Sequence, residues 1–262
     1  MYHSINPTDL DFFESLLGDR CKYDRDTCEA YNHDHTEDLQ FTPSVVLFPK
    51  STQEVSDILA YCHQCNIPVT PAGARTGLSG GCLPIYGGVM LSSEKLNRIL
   101  EIDEKNAQVI TEPGVITEVL QDAVKAKGLF YPPDPASKGS CFIGGNIAEN
   151  SGGPKAVKYG VTKDWVLNLE IVLADGTIMW TGANVVKNAT GYNLTQLVVG
   201  SEGTLAFVTK IVLRLIAHPT QTLLMLVPFY DALHACQAVS SIFNAGITPV
   251  SYTHLTLPTI YS

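Results

Sequence analysis

Two glycine-rich stretches, Pro71-Ala-Gly-Ala-Arg-Thr-Gly-Leu-Ser-Gly-Gly81 and Gly144-Gly-Asn-Ile-Ala-Glu-Asn-Ser-Gly-Gly153, hold the residue types suited to gripping a large anion. Glycine has no side chain to keep backbone N–H groups away from a phosphate, and it tolerates the left-handed backbone that turns successive N–H groups inward. In the first stretch Gly73, Gly77, Gly80 and Gly81 offer that freedom, and the Thr76 and Ser79 hydroxyls add donors. In the second, Gly144 and Gly145 let backbone pass close to a ligand, Asn146 can donate and accept, and Ala148, Gly152 and Gly153 keep the wall thin. The chemistry expected is two bare backbone ridges closing on one phosphate-bearing ligand. The competing reading of each stretch is a plain loop or a tight glycine turn. Arg75 suits a phosphate contact or solvation equally. Glu202, in Gly200-Ser-Glu-Gly-Thr204, can accept from ribose or adenine groups or cap a turn.

Other chemistries fit less well. No Gly-x-Gly-x-x-Gly opens a helix with an acidic residue about twenty positions on, and no Gly-Lys-Ser/Thr follows either stretch. Cys62-His-Gln-Cys65 has redox-motif spacing, yet Cys62 belongs to the apolar face of a helix and reads as packed. His33-Asp-His35 reads as solvated, so no metal site is expected. A net charge of -9 over 262 residues argues against nucleic acid as a partner. The N-terminus lacks a secretory leader pattern, no stretch reaches the ~20 apolar residues of a membrane span, and the seven cysteines are unevenly spaced. These features predict a soluble cytoplasmic protein with reduced thiols and no transmembrane segment.

The elements that must position the ridges are legible nearby. Leu10, Phe13, Leu16 and Leu17 mark a short helix in an otherwise polar lead-in over 1–43. Val45–Phe48 reads as a buried strand, and Ser51-Thr-Gln-Glu54 as a capping box. The helix that follows buries Val55, Ile58, Leu59 and Cys62, and a strand over Ile67–Thr70 runs into the first glycine stretch. Strand, helix and strand put that stretch at a carboxyl strand end, where open α/β sheets bind ligands. A second unit over 101–218 starts with a strand over Ala107–Glu112. A helix follows, capped by Thr117, with Leu120, Ala123 and Val124 inward and Gly128 after its end. Asp175-Gly176 joins a hairpin between Leu167–Ala174 and Thr177–Thr181, and Thr204–Ala217 is a last long strand. Over 219–250 a third unit begins, with a strand at Leu223–Phe229 and a helix over Asp231–Ala245 turning Leu233, Cys236, Val239 and Phe243 inward. One strand and one helix cannot bury their own apolar faces, so this unit reads as incomplete. The Thr-rich residues 251–262 read as a non-native tail, resembling translated adapter sequence, and the chain as a truncated one.

The two stretches, Tyr131-Pro-Pro-Asp-Pro-Ala-Ser137, Lys158-Tyr-Gly160 and Gly200-Ser-Glu-Gly-Thr204 occur in an order that resembles the PCMH-type FAD-binding domain of the vanillyl-alcohol-oxidase-like flavoproteins. Within that superfamily the chain is similar to the branch of glycolate oxidase and the D-lactate and D-2-hydroxyglutarate dehydrogenases. The resemblance covers about residues 44–250 and implies an α+β fold of two FAD-binding subdomains, 44–100 and 101–218, followed by the start of a cap domain. It implies that FAD is bound by Pro71, Ala72, Gly73, Ala74, Arg75, Thr76, Gly77, Leu78, Ser79 and Gly80. Further contacts fall to Pro132, Asp134 and Ser137, to Gly144, Gly145, Asn146, Ala148, Asn150, Gly152 and Gly153, and to Tyr159, Gly160, Glu202 and Gly203. Some members attach flavin through a histidine or cysteine near the first stretch; residues 71–81 contain neither, so non-covalent FAD is implied. Lys187 is either a surface lysine or a cation beside the flavin.

The activity implied is oxidation of a small 2-hydroxy acid to the 2-oxo acid, with hydride passing to flavin N5. Electrons would leave to an iron–sulfur subunit, another flavoprotein or a quinone. The substrate anchor and the base are expected outside this sequence, and no catalytic residue is assigned. Two alternatives are a non-catalytic flavin-binding subunit of a larger dehydrogenase and a reductase of enolpyruvyl sugars on the same FAD domain.

Overall fold

A computed structural model describes residues 2–36 and 38–252. Its first helix, α1 (Pro7–Leu17), starts under Asn6, whose side chain accepts from the Thr8 and Asp9 N–H groups while Asp9 accepts the Asn6 N–H. This capping box sets the helix so that Phe13 and Leu17 are buried. β1 (Cys21–Lys22) pairs antiparallel with β2 (Val45–Leu47), with α2 (Arg25–Ala30) between them in the chain. The lead-in therefore supplies an edge strand.

In α3 (Thr52–Cys65) the predicted face of Val55, Ile58, Leu59 and Cys62 is buried. The capping box expected there is half formed. The Ser51 hydroxyl accepts the Glu54 N–H at 3.2 Å, but the Glu54 carboxylate turns away to the Lys50 N–H at 2.7 Å. The cause is Arg20, whose guanidinium holds both Glu54 oxygens at 2.6 and 2.7 Å. β3 (Val69–Ala72) follows and includes Pro71 and Ala72, which the sequence places in the loop. β4 (Val89–Ser92) is inserted between β2 and β3, parallel to both, giving the sheet order β1-β2-β4-β3. The sequence patterns do not predict this strand.

The second sheet is antiparallel, in the order β5-β6-β10-β8-β9: β5 (Ile99–Asp103), β6 (Gln108–Thr111), β8 (Val166–Val172), β9 (Ile178–Trp180) and β10 (Phe207–Arg214). The hairpin across Asp175-Gly176 forms as predicted, while the long final strand breaks at Leu215 into β10 and β11 (Ile216–Ala217), the latter paired with β7 (Leu129–Phe130). The helices are α4 (Thr117–Lys125), α5 (Ile143–Glu149), α6 (Ala156–Tyr159) and α7 (Leu194–Val198). Two expectations are corrected. Ile116, not Thr117, occupies the N-cap of α4, and the Thr117 hydroxyl is buried against the Cys141 carbonyl at 3.3 Å. The first half of the second glycine stretch is helix α5 rather than loop.

The sheets are joined through α3. The Ser56 hydroxyl donates to the Gly176 carbonyl at 2.5 Å, and a Cβ on Gly176 (φ +87°) would lie 2.8 Å from Ala60 Cβ, so only glycine lets the hairpin dock. Glu170 of β8 is buried and accepts from Thr52 (2.7 Å), Thr209 (2.9 Å) and Lys210 (3.0 Å). Burial alone would raise its pKa, but these donors outweigh it and hold the carboxyl below its usual range. Val172 and Phe207 of the second sheet join the core of Phe13, Val45, Ile58 and Leu91, whereas Leu120, Tyr131, Ile143, Ile147 and Ile211 form the second core.

Beyond Pro219 the expectation changes most. Leu223–Phe229 forms no strand, and α8 (Ala232–Asn244), capped by Asp231, buries Ala235 alone instead of Leu233, Cys236, Val239 and Phe243. Among the described residues no second layer packs on it to define an inward face. Apart from Ser251 and Tyr252, the tail expected over 251–262 lies outside the described residues. Among the described residues no helix is long and apolar enough to cross a membrane.

Candidate functional site

An open cleft lies where the end of β3 faces α5. The two glycine stretches meet along it: a Cβ built on Gly73 would stand in contact distance, 3.8 Å, of the Gly145 Cα and N. Pro71, Ala72, Gly73, Ala74, Arg75, Thr76 and Gly77 line one side, and Gly144, Gly145, Asn146 and Ala148 the other. Ser137, Glu202 and Gly203 close the ends. Gly203 (φ +73°) packs so tightly that a Cβ would meet Pro71 Cγ at 2.5 Å, which fixes the Ser-Glu-Gly-Thr turn against β3. The convergence predicted from sequence is therefore present.

The donors are distributed differently from the expectation. Among the described residues, no backbone N–H from Ala74 to Gly81 donates a hydrogen bond within the chain, leaving the first stretch as a run of free donors. Of its residues, Gly80 (φ +77°) and Arg75 (φ +56°) are left-handed; Gly73, Gly77 and Gly81 are not. In α5 the N–H groups of Ile143 and Gly144 bond the Val115 and Pro113 carbonyls at 2.9 and 2.7 Å. Gly144 is glycine because a Cβ would sit 2.6 Å from Pro113, while nothing lies within 4 Å of a Cβ on Gly145. Gly145 thus faces open cleft. Asn146, buried, donates through Nδ2 to Thr117 Oγ1 at 2.6 Å, which leaves Oδ1 as its acceptor.

Other predicted residues support the walls without lining this cleft. Leu78 and Ser79 are exposed, with Ser79 Oγ 3.4 Å from both Glu149 carboxylate oxygens, and Gly80 packs on Leu83. Pro132 and Asp134 run behind the second stretch: a Cβ on Gly153 would collide with the Asp134 carbonyl, and Lys155 pairs with Asp134 at 3.1 Å. Asn150 ends α5 in a left-handed cap and accepts the Lys163 N–H at 2.9 Å; Gly152 packs on Val161. Tyr159 stacks edge-on against Phe130 and Trp165, and Gly160 turns tightly over Asp164. Lys187 is exposed and does not line the cleft.

Asp34, Cys82 and Glu149 line the cleft but are absent from the predicted set. Asp34 comes from the lead-in, whose His35 N–H bonds the Gly77 carbonyl at 3.1 Å and lays the segment over the loop. Burial first, and Asp34 second, push the Cys82 thiol up to about 12, so it stays neutral and unreactive. Glu149, at the mouth, has its pKa raised by partial desolvation and then by the charges of Glu202 and Asp34. A carboxyl raised on folding binds its proton more tightly in the folded state, so it favours folding at acidic pH and opposes it once pH exceeds its range. Glu149→Gln is expected to raise the melting temperature by about 1–3 °C at mildly alkaline pH and to leave it unchanged at acidic pH. Scanning calorimetry at both conditions checks this; a fall at alkaline pH would show that the three acids do not repel.

Residues 43–182 match the FAD binding domain family. The chain is 47% identical over 233 residues to the glycolate oxidase subunit GlcD of Bacillus subtilis (strain 168), covering 88% of this chain and 49% of the relative. It is 39% identical over 250 residues to a D-lactate dehydrogenase of Anaerostipes hadrus, covering 95% and 52%. With a D-2-hydroxyglutarate dehydrogenase of Stutzerimonas stutzeri it shares 40% identity over 220 residues, 82% and 47% of the two chains. The chain thus spans about half the length of these relatives. An alkyldihydroxyacetonephosphate synthase structure superposes on 95% of the chain and 48% of its own with a TM-score of 0.81 at 20% identity, a likeness of fold.

Proposed function

The chain belongs to the FAD binding domain family, and from that premise we propose that it is the cofactor-holding part of an enzyme oxidising small 2-hydroxy acids. The observation that carries the proposal is that both glycine stretches line one cleft, with the N–H groups of Ala74 to Gly77 and of Gly81 unpaired among the described residues and open space beside Gly145. A diphosphate needs such donors, and a flat, extended dinucleotide needs a wall without side chains. The cleft-lining residues named above are proposed to hold FAD without a covalent bond, since residues 71–81 contain neither histidine nor cysteine. The proposed division is a first FAD subdomain to about residue 100, a second to 218, and the start of a substrate domain beyond.

When bound, FAD supplies the two-electron acceptor for the substrate Cα–H. The chain's own residues orient and shield that cofactor: Asn146 offers an acceptor, and the absent side chain of Gly145 leaves room beside it. No histidine or lysine is among the described lining residues, and a base for the hydroxyl proton is proposed to come from outside this cleft. Glycolate, D-lactate and D-2-hydroxyglutarate are the proposed substrate class, with a separate redox partner taking the electrons.

The test is anaerobic. Titration of FAD into the chain should give saturable, one-to-one quenching of flavin fluorescence, and added 2-hydroxy acids should not bleach the bound flavin. Absence of saturable binding removes the cofactor assignment. Steady bleaching by D-lactate or glycolate would show that the chain holds its own base.

A further inference from the structure

We propose that residues 31–36 of the lead-in are a strap that holds the first glycine stretch in shape, with Tyr31 as its positioning residue, so that the cleft stands formed before any ligand enters. The strap stands on contacts within the chain; its coupling to FAD rests on the function proposed above. Residues 73–80 need outside support, because they belong to no helix or strand. Among the described residues, the N–H groups of Ala74 to Gly77 and of Gly81 donate to nothing in the chain, so no hydrogen-bond ladder of its own fixes the stretch. Arg75 sits in the left-handed region (φ +56°), which a residue other than glycine keeps only where its surroundings hold it.

Tyr31 ends α2, and its side chain touches the residues that follow the three parallel strands. Its ring meets Phe48, just past β2, edge-on with centroids 5.6 Å apart, and its hydroxyl donates to Glu94, just past β4, at 2.8 Å. Burial, and then the Glu94 acceptor, push the phenol up to about 12, so it stays a neutral donor. The face of the ring carries Arg75, just past β3, with the guanidinium carbon 3.7 Å from the centroid. Nη1 is shielded from solvent and has no hydrogen-bond partner among the described residues, so the ring face is what meets this cation. The rest of the strap grips farther along the stretch. The His35 N–H donates to the Gly77 carbonyl at 3.1 Å, a Cβ on Gly80 would stand 3.9 Å from Thr36 Oγ1, and buried Asp34 accepts from the Cys82 thiol at 3.7 Å. Asp34 also takes the Thr36 N–H at 2.8 Å, and the Phe41 N–H donates to the Asn32 carbonyl at 2.8 Å, so the strap is closed on itself. Grips at residues 75, 77, 80 and 82 spread one support along the whole stretch, which a segment merely passing over it would not do.

Tyr31→Leu is the informative variant, because leucine keeps apolar bulk against Phe48 and removes the ring face under Arg75. Trypsin reads the result without any ligand, since cleavage after Arg75 needs that side chain to leave Tyr31. Without FAD, Tyr31→Leu should be cut after Arg75 about 3- to 30-fold faster than the wild type, the range of a lost cation–π contact. Cleavage after Arg214, inside β10, should keep its rate. Tyr31→Phe retains the ring and should stay close to the wild type. FAD at about 100 times its Kd should slow cleavage of Tyr31→Leu after Arg75 by about 100-fold, because the ligand favours the docked stretch. An unchanged rate at Arg75 in Tyr31→Leu overturns the inference, as does an equal rise at Arg75 and Arg214, which would mean general loosening. FAD that binds yet leaves the Arg75 rate unaltered overturns it too. A wild-type chain that binds no FAD removes the function proposed above, while the ligand-free rates still decide the strap.

Discussion

Gly145→Val should lose FAD by at least about 100-fold in affinity, ~2.7 kcal/mol or more, while melting within a few degrees of the wild type. Nothing in the chain lies within 4 Å of a Cβ at this position, so the folded protein has room for the side chain. Glycine is also a poorer helix former than valine, and replacing it in α5 offsets any small cost by about 0.3 kcal/mol. The room, however, belongs to the cleft that Gly145 lines, and three added methyl-sized groups would occupy it. Gly144→Ala, one residue earlier, should behave in the opposite way. Its Cβ would stand 2.6 Å from Pro113 Cβ and 3.1 Å from the Pro113 carbonyl oxygen, an overpacked contact costing about 1–3 kcal/mol. Its melting temperature should fall by roughly 2–12 °C. Flavin absorbance after gel filtration, set beside a melting curve, separates the two. A Gly145→Val chain that keeps its flavin, or one that melts as low as Gly144→Ala, would show that this face of α5 is not a cofactor wall.

That pair also shows how much the sequence could tell. Glycine content located both walls, because an absent side chain is visible wherever it occurs. Which of two adjacent glycines faces ligand and which faces protein depends on Pro113, about thirty positions away and brought up by β6, and no local pattern carries that information. The same limit hid the helix. Gly144-Gly145 argues against helix by propensity, yet the carbonyls of Pro113 and Val115 satisfy the first N–H groups of α5. β4 escaped because its four residues are buried on both faces and show no alternation, and Asp34 because a polar lead-in gives no sign of folding over the loop. Local devices fared better. The Asp175-Gly176 turn and the apolar face of α3 follow from residues close together in the chain, and both form as predicted.

The opposite case, a local signal without a tertiary partner, is the stretch from Leu223 to Leu226, and it should make the chain self-associate. Leu223, Leu224, Met225 and Leu226 are 85%, 98%, 81% and 96% exposed, a continuous apolar row in extended chain outside any sheet. Covering each leucine would gain about 1.5–3 kcal/mol, enough for several together to hold two copies at micromolar concentration. Among the described residues the backbone beside those side chains is unpaired, which adds open hydrogen-bonding groups to the same strip. The replacements Leu224→Lys and Leu226→Lys remove the two most exposed members. Neither side chain packs on the fold, so the melting temperature should stay within about 1–2 °C, consistent with the small cost of surface substitutions. Light scattering after size exclusion should then show the wild type as concentration-dependent oligomers and the doubly substituted chain as monomer. FAD affinity should be the same in both, because residues 223–226 do not line the cleft. A wild type that stays monomeric over the same concentrations would mean that this row is already covered by the chain itself.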